Sequence, residues 1–142
     1  MPEEEKIIPT CGAVVFDSLG NVLVVEHLAG ASHLTGTFGL PAGKIEKGES
    51  TLDAVVREVR EETGISIHRD RFKKLPTVYR ATIEQKDGAK NMSWEVFAAR
   101  IGRGELLSSS ETAPRWVQPQ ELDTLNLLPN VRNAVQEARS IL

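Results

Sequence analysis

Cysteine is nearly absent from this chain of 142 residues: Cys11 stands alone. No intrachain disulfide can form, and such usage suits a reducing compartment, so a cytoplasmic location is expected. Cys11 itself reads as a small core residue. Aromatic residues make up only 5%, and those available to stack on a base are Phe38, Tyr79, Trp94 and Phe97. The net charge is −3 and there is no basic block, which excludes a large nucleic-acid interface. No apolar run approaches the roughly 20 residues that span a membrane. Residues 2–6, Pro-Glu-Glu-Glu-Lys, are followed by no long apolar stretch, so no signal peptide and no membrane association are expected. A Gly-Lys-Ser/Thr at P-loop spacing is also missing, so phosphate is expected to be held through a metal rather than in a glycine cradle.

What remains fits one globular domain over residues 1–142, with 40% apolar residues, enough for one core and too short for two. Residues 1–8 read as a polar lead-in. Two β-branched runs, Cys11–Asp17 and Asn21–His27, flank the turn residues Ser18-Leu19-Gly20-Asn21 and predict a hairpin. Residues 28–37 are small and polar and read as a loop in which His27 and His33 are candidate substrate contacts. Lys74–Gln85 and Asn91–Ile101 predict a second hairpin around Asp87-Gly88, and Arg115-Trp116-Val117 a short strand. Pro119 begins one helical segment. Pro129 opens a final helix with the stripe Val131, Val135, Ala138 and Leu142. Periodicity alone supports α/β or α+β.

The informative stretch runs from Gly43 to Ile65. Leu52, Val55, Val56 and Val59 recur at helical spacing and form one apolar stripe. Glu58, Glu61 and Glu62 share another face, about 115° around the helix. Ser50 or Thr51 can cap its start and Gly64 its end. Like charges at i, i+4 destabilise a helix by roughly 0.2–0.5 kcal/mol. Neither Glu58 nor Glu62 has a cation at helical spacing on its own face, whereas Arg57 can reach Glu61. A divalent ion would cancel the repulsion, and oxygen ligands suit Mg²⁺ or Mn²⁺. A solvated acidic helix is the plain alternative.

Gly43, Glu49, Arg57, Glu58, Glu61, Glu62 and Gly64 stand at the spacing of the Nudix box, with Val59 and Ile65 as its apolar members. The stretch resembles that signature at every fixed position. Phe38-Gly39-Leu40-Pro41-Ala42 is similar to the strand and turn that lead into the box, with Phe38 where Trp is frequent. His27 departs mildly from the Arg that often ends the preceding strand. The resemblance implies an α/β/α sandwich with a mixed central sheet. It implies hydrolysis of a nucleoside diphosphate linked to another moiety, with Mg²⁺ or Mn²⁺ as cofactor and a small-molecule nucleotide as partner. It makes Glu58 and Glu62 metal ligands, Glu61 a third, and the Gly43 carbonyl a further one. Arg57 would orient carboxylates, chiefly Glu49 and Glu61. The general base stays open between Glu58 and Glu111, the latter in the loop before the Arg115 strand. Phe38, Tyr79 and Arg80 are the candidate substrate-binding residues. The oligomeric state is open, a homodimer included. A non-catalytic nucleotide-sensing module with the same fold is the rival reading.

The nucleoside is not encoded in the box. Leu-Pro-Ala-Gly ahead of the helix resembles ADP-ribose pyrophosphatases, but position 81 is Ala, where those enzymes place a proline about sixteen residues beyond the box. Tyr79 lies near, but not at, the tyrosine associated with dinucleoside polyphosphate cleavage.

Overall fold

A computed structural model describes residues 6–142. Strands β1 (Ile7–Phe16), β2 (Val22–His27), β3 (Phe38–Gly39) and β4 (Ala42–Lys44) precede helix α1 (Thr51–Thr63). Then come β5 (Lys73–Gln85), β6 (Gly88–Arg100), β7 (Thr112–Val117) and helix α2 (Val131–Ile141). The strands form one mixed sheet in the order β3-β2-β1-β6-β5, with β4 paired to β1 and β7 to β2. β1 and β6 run parallel, from Ile7 opposite Asn91 to Phe16 opposite Arg100. The other pairings are antiparallel.

Alternation along the central strands builds two cores. Val14 and Phe16 of β1, with Val96 and Ala98 of β6, point to one face and pack with Val131, Ala134, Val135 and Ala138 of α2. Cys11, Ala13 and Val15, with Phe97 and Ala99, point to the other face and meet Ala54, Val55 and Val59 of α1. Successive side chains of a strand face opposite ways, so a strand buried on both faces reads as a continuous apolar run. The three layers expected of an α/β/α sandwich are present. Among the described residues, no helix is long and apolar enough to cross a membrane.

Several boundaries differ from expectation. Residues 1–5 of the expected lead-in lie outside the described residues, and Ile7 and Ile8 already pair with β6. The α1 stripe is centred on Ala54, Val55 and Val59, while Val56 stays half-exposed. Pro119 starts only a short 3-10 segment, Pro119–Thr124. α2 begins at Val131, after Asn130 takes a left-handed conformation (φ 71°). Ala134 joins its buried stripe, and Leu142, at 41% exposure, falls outside it.

Candidate active site

Helix α1 starts where the Ser50 side chain accepts from Asp53 N–H, and it stops at Gly64, whose φ of 83° is the left-handed stop that glycine adopts freely. With its apolar side fixed against β1, the helix turns Glu58, Glu61 and Glu62 toward a cleft of about 470 Å³. The cleft is lined also by Ala42, Gly43, His27, His33, Tyr79, Gln85, Trp94 and Glu111. Three elements distant in sequence thus meet: the box helix, the β3–β4 turn and the loop before β7.

Gly43 is packed against the helix. A Cβ there would come within 2.3 Å of the Glu58 carboxylate. Only backbone fits, so Glu58 can lie flat on β4. Glu62 accepts a hydrogen bond from Ala42 N–H at 2.6 Å. Arg57 uses all five of its donors. Nε and Nη2 grip both oxygens of Glu49 at 2.8 and 2.9 Å. Nη1 reaches Glu58 Oε1 at 2.7 Å and Glu61 Oε2 at 3.2 Å. Nη2 also donates to the Lys44 carbonyl at 3.1 Å. No cation stands at helical spacing from Glu58, as expected, yet the preceding residue supplies one. Adjacent helical residues do not face each other, but the arginine side chain is long enough to curl back to its neighbour.

These contacts set the acidities. Burial pushes the Glu62 carboxyl up to about 8, with the negative charges of Glu58, Glu111 and Glu61 adding to it and the Ala42 N–H opposing. Burial likewise raises Glu58, against the pull of Arg57. Glu49 moves the other way, to about 2, because Arg57 hydrogen-bonds its charged form. Burial, then the neighbouring His33, lowers His27 to about 4. The two imidazoles stand 4.4 Å apart, and His27 Nδ1 is bonded to the Thr37 carbonyl and hydroxyl.

Glu111 is exposed and lines the cleft, and the next residue, Thr112, donates from its hydroxyl to the Glu62 carbonyl at 3.1 Å. Tyr79 and Trp94 also line the cleft. Phe38 does not: it is buried in the α2-side core, with the Arg115 guanidinium 4.9 Å over its ring. Arg80 is exposed and outside the cleft lining. Phe97 belongs to the α1-side core. The sequence reading missed Gln85, Met92 and Asn130 in the cleft wall. Period-2 alternation was the available signal for two of them: Gln85 shares a strand face with Tyr79, and Met92 with Trp94.

The Gly43 geometry yields a sharp expectation. In Gly43→Ala the new methyl displaces a flexible carboxylate rather than backbone, so the melting temperature should stay within a few degrees. Turnover should fall by roughly tenfold or more, since ångström-scale misplacement is costly in catalysis. Steady-state kinetics beside a thermal melt would decide; a variant with wild-type turnover would show that the Glu58 position is not critical.

The arrangement defines a class: an α/β/α sandwich whose glycine-fed helix offers carboxylates to a cleft. The family model described as NUDIX domain matches residues 6–138, and the chain belongs to the Nudix family. A Mycobacterium tuberculosis protein provisionally named 8-oxo-dGTP diphosphatase 3 is 32% identical over 124 residues, 83% of this chain and 54% of its own length. The Escherichia coli protein named 8-oxo-dGTP diphosphatase is 41% identical over 56 residues, 39% of this chain and 43% of that protein. The chain thus spans about half the length of the curated relatives it matches. In fold it is similar to a solved MutT protein from Methanosarcina mazei, with a TM-score of 0.79 at 22% identity, covering 98% of this chain and 97% of that one.

Proposed function

We propose that the chain is a metal-dependent nucleotide pyrophosphohydrolase, in which water attacks one phosphorus of a nucleoside diphosphate linked to a second moiety. One observation carries this reading. Glu58 and Glu62 are held beside Gly43 and Ala42 at the cleft, with Glu61 next to them, and burial makes their charged forms costly.

The donor set fits a hard divalent ion. Arg57 occupies only Oε1 of Glu58, and Ala42 only Oε1 of Glu62. Among the described residues no three acids, imidazoles or thiols converge as a ready cage. Mg²⁺ usually keeps several waters and is bound by one or two carboxylates plus substrate phosphates, so the free oxygens of Glu58 and Glu62 could serve it without a full protein cage. Glu58 and Glu62, with Glu61 and the Gly43 carbonyl beside them, would hold it. When bound, it would neutralise diphosphate charge and polarise the phosphoryl oxygens. The chain's own residues do the rest. Arg57 fixes the carboxylates, Tyr79 and Trp94 offer aromatic surface to the nucleoside, and Glu111 takes the proton of the attacking water. Glu111 suits that role better than Glu58, whose carboxylate is already committed to Arg57 and the metal face.

The test is a substrate panel with Mg²⁺ and Mn²⁺. The names of the relatives put 8-oxo-dGTP first, followed by canonical dNTPs, ADP-ribose, dinucleoside polyphosphates and sugar nucleotides. Release of a nucleoside monophosphate that stops on chelation supports the proposal. Tight nucleotide binding without turnover at any metal concentration would favour the sensing module instead.

A further inference from the structure

The loop that carries Glu111 is held from behind. Leu28 N–H donates to the Glu111 carbonyl at 2.8 Å, and Gly30 N–H donates to the Ser110 carbonyl at 3.1 Å. A Cβ on Gly30 would stand 2.6 Å from that Ser110 oxygen. Main chain lies on both sides of this contact, so it cannot yield as a side chain would.

The segment 28–31 is anchored on its other side by the β5–β6 turn. Lys86 Nζ donates to the carbonyls of Ala29 and Ala31, at 2.8 Å each, and Lys86 N–H donates to the Ser32 carbonyl at 3.1 Å. His33 forms a β-bridge with Gln85. Residues 29–32 are Ala-Gly-Ala-Ser, with almost no apolar side chain to pack. Their placement therefore depends on hydrogen bonds, and charge-assisted bonds to an ammonium are the stronger kind.

We infer that Lys86 is a positioning residue for Glu111, acting through the segment 28–31 and its main-chain bonds to Ser110 and Glu111. One cation on a hairpin turn bridges two carbonyls two residues apart. That fixes the curve of the segment, and the segment's N–H groups fix the acid loop. Lys86 is exposed, so its replacement removes no core packing, and a rate effect could not be ascribed to a hollowed core. The inference rests on Glu111 acting on the attacking water, as proposed above.

Steady-state kinetics of Lys86→Met, in wild-type and Glu111→Gln backgrounds, test it on the best substrate of the panel. With its ammonium gone and its aliphatic stem kept, Lys86→Met should lower kcat by about tenfold with KM within about twofold, the pattern of a misplaced group. In the Glu111→Gln background the same substitution should change kcat by less than about twofold, because residues acting as a unit are not additive. Gly30→Ala, which pushes on Ser110 directly, should repeat both results and serves if Lys86→Met folds poorly. A wild-type kcat for Lys86→Met and Gly30→Ala, or equal fractional losses in the two backgrounds, would overturn the inference while leaving the Glu111 assignment intact. A silent Glu111→Gln would overturn both.

Discussion

Glu62→Gln is expected to abolish most metal-dependent turnover while leaving the fold intact. Its carboxylate is tied to the β4 backbone through Ala42 N–H and faces the cleft beside Glu58. Amide for carboxylate keeps the shape and removes the charge. Loss of a ligand that helps hold a Lewis acid worth several kcal/mol should lower kcat/KM by roughly 10²-fold or more, at about 1.4 kcal/mol per tenfold. Stability should move the other way in metal-free protein. The folded state holds the Glu62 carboxyl at about 8, above its ordinary 4.5. A raised pKa means that the folded state binds its proton more tightly than the unfolded chain. That stabilisation is full below about 4.5 and is lost as pH rises through about 8. Metal-free wild type should therefore lose melting temperature between pH 5 and pH 8 (roughly the window of that shift), and Glu62→Gln should lose less. Added Mg²⁺ should restore the wild type and not the variant. Near-normal turnover of Glu62→Gln would remove Glu62 from the metal site.

The box helix was legible because its signals are local. The stripe and the shared face of Glu58, Glu61 and Glu62 follow from a 3.6-residue period. A side-chain acceptor narrowed the cap to Ser50 or Thr51, of which the structure uses Ser50, and Gly64 marked the left-handed stop. Periodicity alone left the layers open between α/β and α+β, and the α/β/α order followed from the resemblance of the box. Of the central pair, β1 and only the last residues of β6 carry the continuous buried run of a strand covered on both faces. What the sequence hid was contact between distant main-chain segments. Nothing in composition says that Gly43 lies on the Glu58 carboxylate, or that Lys86 bonds carbonyls 55 and 57 residues away. Backbone carbonyls are the same in every residue type, so such partners leave no trace in the residue pattern. Phe38 misled because an aromatic beside a box looks like a stacking surface; a buried two-residue strand turns it into the α2-side core instead. The strand at Ile7 was missed because Pro2 to Lys6 is so polar that the apolar pair behind it looked like the tail of a lead-in.

Arg57→Lys should separate charge from geometry. The guanidinium spends its Nε and Nη2 on both oxygens of Glu49, its Nη1 on Glu58 and Glu61, and a further Nη2 bond on the Lys44 carbonyl. This one side chain links the loop before α1, the β4 end and two of the helix acids. Lysine brings the same charge with three donors on a tetrahedral nitrogen, and it cannot match the planar fork. It can hold Glu49 or Glu58, not both in their present places. Glu49, kept near 2 by the arginine, would then titrate closer to an ordinary carboxylate. Outer partners of metal-binding groups are typically worth 10–100-fold, so kcat should fall by about that factor. KM should stay within about threefold, because Arg57 is absent from the cleft lining and acts on the acids rather than on substrate. The Mg²⁺ concentration for half-maximal rate should rise alongside. A loss confined to KM would instead mean that Arg57 binds substrate, and an unchanged kcat with unchanged Mg²⁺ dependence would reduce the five bonds to a stabilising clasp with no part in turnover.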